Sequence, residues 1–258
     1  MHTNTTLLPK LTKKQQEILL LLYRFRFLHR IHIQTLLNHK DYHRINIWLK
    51  DLTQKEYTGR IYSNKLKENT IPAKYYLKKN AIRYLKTIPE CHKQYFNKLY
   101  AEDEKSPAFI DKCQFTADMY LKFLNETNNN TASKNHQFYT QSDYNPESII
   151  REINPHFVIL KRKRNQKIYH AYEVFEEGQP QWYKKDRIKQ YIEFFAQEDK
   201  ALPVYITFIC PKKSYISITR HIKKLNDTDE SLPDIVVTTR EQMKHYKILE
   251  HKKTADGE

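Results

Sequence analysis

Residues 41–52 read Asp-Tyr-His-Arg-Ile-Asn-Ile-Trp-Leu-Lys-Asp-Leu, and this stretch decides the fold. Asp41 is a favourable helix N-cap, because its carboxylate can accept from amides that a first turn leaves without partners. Ile45, Trp48, Leu49 and Leu52 then fall at i, i+3, i+4 and i+7, which lines them along one stripe of a helix. The opposite face carries Tyr42, His43, Arg44, Asn46, Ile47 and Lys50. Most of these side chains are polar and long enough to reach outward.

Working backward, Asn38-His39-Lys40 is a polar break, and before it Ile33, Leu36 and Leu37 give a short helix with one apolar side. Before that, Thr12 and Gln15 have capping-box spacing ahead of an apolar run, so Leu11 to about Arg26 reads as an amphipathic helix. Phe27 and Leu28 close it against the core. Working forward, Thr58-Gly59 opens a strand over Arg60-Ile61-Tyr62. A basic polar stretch, Ser63 to Thr70, follows, and Ala73 to Lys78 returns as a strand rich in tyrosine. Asn80 to Lys86 is a closing helix, ended before Pro89. Three helices and a two-stranded hairpin, in that order, are the elements of a winged helix-turn-helix. In that arrangement the third helix enters the major groove and the hairpin touches the flanking backbone.

The distribution of charge supports a polyanionic partner. The chain has 258 residues and a net charge of +15. Residues 1–100 hold 20 Lys+Arg against 6 Asp+Glu, whereas residues 101–258 hold 25 against 24. An AT-rich coding bias can inflate lysine, but it would spread over the whole chain. Concentrated positive charge favours phosphates, since neutralising them releases counterions. A membrane surface would ask for one basic amphipathic helix or a polybasic tail, and here the charges lie on several short elements. The expected DNA-binding residues are Tyr42, His43, Arg44, Asn46 and Lys50 on the third helix, and Arg60, Lys65, Lys67 and Lys74 on the hairpin. A winged helix can also dock on protein, so a scaffold remains an alternative.

Several chemistries are disfavoured by composition. Three glycines, Gly59, Gly178 and Gly257, cannot build a glycine-rich phosphate loop. Cys91, Cys113 and Cys210 are odd in number and far apart, which argues against a disulfide framework or a thiolate zinc site. The twelve histidines are scattered, with no His-x-His pair. Nineteen tyrosines point to packing rather than to one nucleophile. Asp227 to Glu230 lacks the glycine that a calcium loop needs at its turn. The first ten residues lack a signal-peptide pattern, and the longest apolar run, Ile18 to Tyr23, is too short to span a bilayer. A cytoplasmic location is expected, with neither metal nor cofactor.

The rest of the chain changes character. Glu90 to Lys105 is a polar connector. Ser106-Pro107 starts a helix that runs to about Asn125, with Phe109, Ile110, Cys113, Ala117, Tyr120, Leu121 and Leu124 on one face. Asn125 to Ser133 is a loop. Strands are expected over His136–Thr140, Phe157–Lys161, Lys167–Phe175, Val204–Cys210 and Ile235–Thr238. Helices are expected over Trp182–Gln197, with Ile188, Tyr191, Ile192 and Phe195 inward, then Ser214–Leu225 and Arg240–Leu249. This alternation predicts a small mixed-sheet α/β domain. The expected division is 1–90 winged helix, 91–133 connector helix and loop, 134–250 α/β domain, and 251–258 disordered tail. The fold class is therefore α+β / α/β.

The order of these elements resembles the replication-relaxation family of plasmids and mobile elements. The likeness is carried by Phe109-Ile110-Asp111-Lys112 to Leu121, by Asn154-Pro155-His156-Phe157-Val158-Ile159, by Tyr172-Glu173-Val174-Phe175 and by the charged helix from Lys184. It implies DNA binding in replication, relaxation or transfer, and a second domain resembling a restriction-endonuclease-like core. Such a core, when active, uses an acidic residue after a proline and a Glu-x-Lys on the next strand, which hold a divalent ion and orient water. Here His156 and Phe175 stand at two of those positions and only Glu173 matches. Lys184 or Lys185 could replace the lysine, and Glu147 or Glu152 could add a carboxylate. The reading is a non-enzymatic double-stranded DNA-binding protein with a degenerate core, an accessory factor for such elements or a transcriptional regulator. Its partners would be DNA, a relaxase or replication protein, and a second copy of the chain as a homodimer. The alternative is a divalent-metal-dependent DNA nuclease centred on Glu173, with Lys184 and Lys185 as catalytic residues.

Overall fold

A computed structural model describes residues 8–62, 72–129, 135–144, 149–163, 166–195, 204–227 and 233–249. The chain divides into two compact units, Met1–Ala117 and Asp118–Glu258. The tail 251–258 lies outside the described residues.

In the first unit, α1 (Lys13–Phe25), β1 (Leu28–His29), α2 (Arg30–Leu36), α3 (Tyr42–Gln54), β2 (Thr58–Ile61), β3 (Lys74–Leu77) and α4 (Lys79–Leu85) follow in order. The strands form an antiparallel sheet in the order β1-β3-β2. This is a winged-helix arrangement, and its local causes are those in the sequence. Thr12 and Gln15 form the capping box of α1. Asp41 caps α3 through the amides of His43 and Arg44, at 2.8 and 3.4 Å. Ile18, Leu19, Leu22, Ile33, Ile45, Leu49 and Leu52 are completely buried where the helices meet. Gln15 ties α1 to α3 by donating to Asp51 Oδ2 at 2.5 Å. Gly59 pairs with Tyr76 across the hairpin, and a Cβ at Gly59 would lie 2.0 Å from the Tyr76 ring. The glycine therefore seats the tyrosine.

Three features depart from expectation. The pair Leu28–His29 is a strand, too short to show any alternation in sequence. Trp48 is only half-buried, edge-on to His39 at 5.1 Å, so the apolar stripe of α3 is Ile45, Leu49 and Leu52. Residues 91–117 pack on the winged helix instead of merely connecting it. Two 3-10 turns, Lys93–Lys98 and Glu102–Glu104, lead into α5 (Pro107–Asn128), whose start is capped by the Ser106 hydroxyl at 3.2 Å from the Phe109 amide. Tyr95 meets Tyr23 edge-on at 5.2 Å, and Phe109 meets Phe27 at 6.3 Å. Arg26 ends α1 with a positive φ of 66°. Its buried guanidinium binds both oxygens of buried Glu102, donates to the Lys98 carbonyl at 2.7 Å and lies 4.5 Å from the Phe109 ring centre. Burial disfavours that charge, and the pairing outweighs it, so the Arg26 pKa is raised.

The second unit is built on a five-stranded mixed sheet, ordered β4-β5-β6-β7-β8. Its strands are β4 (His136–Thr140), β5 (Phe157–Lys163), β6 (Gln166–Val174), β7 (Val204–Cys210) and β8 (Asp234–Thr239). The first three run antiparallel, and β6, β7 and β8 run parallel. The parallel strands need crossovers, supplied by α7 (Gln181–Phe195) and α8 (Lys212–Asn226), with α6 (Ile149–Ile153) before β5 and α9 (Arg240–His245) last. Covered by helices, β7 is apolar at nearly every position. Phe175, Ile188, Tyr191, Ile206, Phe208 and Ile218 form the centre of one core. On α7 the buried stripe is Lys184, Ile188, Tyr191 and Phe194, shifted from the expected one. The α6 helix was not foreseen, because five residues hold too little period to read. The fold class inferred from the sequence is the one observed.

Candidate nucleic-acid interface

The outward face of α3 is set by its buried one. With Ile45, Leu49 and Leu52 inaccessible, the 3.6-residue period turns Tyr42, His43, Arg44, Asn46, Ile47 and Lys50 outward, and all six are exposed. The face is ordered by stacking at its N-terminal end. Tyr42 and His43 lie 3.9 Å apart between ring centres, and the Arg30 guanidinium of α2 sits 5.2 Å from the Tyr42 ring. The Arg44 guanidinium lies 3.8 Å from Asp41, and both side chains are open to solvent. Ile47 is 64% exposed, an aliphatic side chain in the middle of a polar face. Beneath the start of α2, His29 stacks on His32 at 3.5 Å, and His29 Nδ1 accepts from the His32 amide.

Of the expected hairpin cations, Arg60 and Lys74 fall among the described residues. Arg60 is exposed, and its guanidinium lies 4.6 Å from the Tyr62 ring centre. Lys74 is paired with Asp111 of α5 at 2.9 Å, so its charge is already compensated. The sequence gives no sign of that pair, since the partners are 37 residues apart. Lys65 and Lys67 lie outside the described residues.

Glu173 occupies a different kind of site, on β6 in the second unit. It is 4% exposed. Its Oε2 accepts from Arg187 at 3.1 Å and from the Tyr191 hydroxyl at 2.7 Å. Its Oε1 lies 3.3 Å from His156 Nδ1. That nitrogen is also 3.1 Å from the Val174 amide, and one Nδ1 can donate to the carboxylate or accept from the amide, not both. Arg187 and Tyr191 are one turn apart on α7, and Arg187 also binds the carbonyls of Ile153 and Asn154. Burial alone would push the carboxyl up. The His156 charge and hydrogen bond, Arg187 and Tyr191 outweigh that and hold it near a pKa of about 2.

Neither expected lysine reaches Glu173. Lys184 is buried and donates to Ser214 Oγ at 2.6 Å, with burial lowering its pKa. Lys185 is exposed on the other side of α7 and lines a groove with α8. Phe175 is core, stacked with Phe208 at 5.7 Å. Glu152 is exposed on α6, and Glu147 lies outside the described residues. The sequence places Tyr191 only in the core stripe of this helix and gives Arg187 no role, although an Arg and a Tyr four apart on the helix after Glu173 are a signal for such partners. A divalent ion at Glu173 would have to displace Arg187 and Tyr191 from one oxygen. Among the described residues no group of three or more His, Cys, Asp or Glu is placed to hold a metal. Among them, too, no helix is long and apolar enough to cross a membrane.

No family model matches the chain. No curated protein matches it either. Among solved structures, the chain is similar to the zinc-responsive MarR family member ZitR of Lactococcus lactis, at 18% identity over 49% of this chain and 81% of that one, with a TM-score of 0.27. It is also similar to restriction endonuclease FokI bound to DNA, at 11% identity over 91% of this chain and 45% of that one, with a TM-score of 0.28.

Proposed function

We propose that the protein binds double-stranded DNA, with the exposed face of α3 in the major groove. One observation carries the reading. Tyr42, His43, Arg44, Asn46 and Lys50 project from one side of a helix whose other side is locked into the core, on a segment where Lys and Arg outnumber Asp and Glu 20 to 6. A rigid helix fixed from behind can hold side chains in register with base edges. Arg44 has the fork that fits guanine, Asn46 the amide that fits adenine, and Ile47 an apolar surface for a thymine methyl. Lys50 and Arg60 are suited to phosphates, which position the protein without reading sequence. Lys74 makes no contribution in this reading while Asp111 holds it.

The second unit then serves a structural or docking role rather than catalysis. The Glu173 carboxylate is used inside the fold, and among the described residues the nuclease alternative finds neither a second carboxylate nor a lysine at that point. Such a protein suits an accessory role in replication, relaxation or transfer of a mobile element, or control of transcription. Both begin with the same DNA contact. Mobility shift of labelled duplex DNA by the full chain and by Arg44→Ala/Lys50→Ala tests the proposal, since only a role for α3 predicts that the variant loses binding.

A further inference from the structure

The second unit has a charge balance near neutral by sequence, yet its structure gathers cations in one place. Lys185 of α7 and Lys213, Arg220 and Lys224 of α8 line a concave groove of about 500 Å³, together with His221, Ser217 and Ile216. The whole of α8 carries Lys212, Lys213, Arg220, Lys223 and Lys224 without one Asp or Glu. We infer that this groove is a second nucleic-acid site, one that holds the phosphodiester backbone of a single strand.

Helix periodicity explains the concentration. The inward face of α8 is Ser214, Ile218 and Ile222, all buried, so its cations have only the solvent side to occupy. Lys213 lies 4.0 Å from Glu177, with side chains 90% and 74% exposed. A pair so exposed restrains the lysine little. The imidazole of His221 is held below its ordinary pKa by burial first, and then by Lys185 and Lys224, as a positive local field requires.

The apolar groups choose between partners. An anionic membrane needs a continuous apolar face beside the cations, and α8 has committed its apolar face to the core. Outside lie Ile216, 61% exposed in the groove, and Trp182, 70% exposed one turn before Lys185 on α7 with Tyr183 edge-on to it. An open aromatic beside a row of cations is the arrangement that binds unpaired strands, with bases stacked on the ring and phosphates in the groove. A duplex hides its bases from such a ring. The site is carried by different residues from α3, so it stands or falls separately from the major-groove reading.

The test uses the full chain and two variants, Lys213→Ala/Arg220→Ala/Lys224→Ala and Trp182→Phe, titrated with a labelled oligothymidylate. The wild type should bind it, and a Trp48→Phe variant, whose remaining tryptophan is Trp182, should bind it with quenching of that fluorescence. The triple variant should lose at least tenfold in affinity, and its log–log salt slope should shrink by about 2 for three lost phosphate contacts. Arg44→Ala/Lys50→Ala should leave this binding intact. The inference is overturned if the triple variant binds oligothymidylate as the wild type does. It is equally overturned if the α3 variant loses it as much, or if vesicles of anionic lipid are captured through these residues and oligothymidylate is not. Unchanged circular dichroism of the triple variant ensures that the loss is read at the groove.

Discussion

Arg187 and Glu173 share a hydrogen bond of 3.1 Å between α7 and β6, in a place where the Glu173 side chain is 5% and the Arg187 side chain 16% exposed. Removing one partner of such a pair leaves the other charge without compensation, which costs more than the pair contributes. Glu173→Ala should therefore destabilise the chain by about 3 kcal/mol, the lower end for breaking a buried pair, because Arg187 keeps some water and two backbone carbonyls. Urea unfolding measures this. A change under about 1 kcal/mol would mean that the pair is not maintained in solution.

The same carboxylate sets an acid limit. Its folded pKa, about 2, lies below the roughly 4.3 of an unfolded glutamate. The stabilisation is then complete above the unfolded value and is lost as the pH falls toward the folded one. Unfolding free energy should decline between about pH 4.5 and 2 in the wild type and decline less in Glu173→Gln. Parallel profiles for the two proteins would remove Glu173 as the cause.

Magnesium or manganese should not bring about DNA cleavage. Hydrolysis of this type needs an ion and a water fixed together by carboxylates and a lysine. Here Phe175 is packed in the core, Lys184 is turned to Ser214, and Glu173 is filled by protein donors. Metal-dependent cleavage that disappears in Glu173→Gln would reverse this account of the second unit.

The anchoring of α3 gives a contrast in stability. Leu49→Ala removes a completely buried side chain and should cost about 2–5 kcal/mol. Trp48→Phe should cost under about 1.5 kcal/mol, since the indole is half-exposed and a ring is kept. Gly59→Ala should cost about 1–3 kcal/mol by forcing the Tyr76 ring from its seat. Equal losses for Leu49→Ala and Trp48→Phe in chemical denaturation would place the wrong side of α3 inward.

The elements with strong local signals were legible in the sequence. The capping box at Thr12, the Asp41 cap, the Ser106-Pro107 start and the apolar run of β7 each appear where their chemistry places them. Short pieces without a period, β1, α6 and the turns after Lys93, were not. Pairings across long sequence separations were also hidden. Arg26 with Glu102 and Lys74 with Asp111 depend on tertiary packing that no local pattern encodes. The groove on α8 escaped for another reason. A summed charge cancels acids and bases that the fold places on different faces.

The central claim is that α3 contacts DNA, and a salt titration of duplex binding tests it most directly. With about six phosphates neutralised, the log of the association constant should fall against log salt with a slope of about −5. Arg44→Ala and Asn46→Ala should each cost about 1–3 kcal/mol on a preferred sequence and narrow the gap to other sequences. Lys50→Ala should weaken all sequences alike and reduce the slope by about 1. A flat salt response, or wild-type binding and selectivity in Arg44→Ala, Asn46→Ala and Lys50→Ala together, would contradict the account.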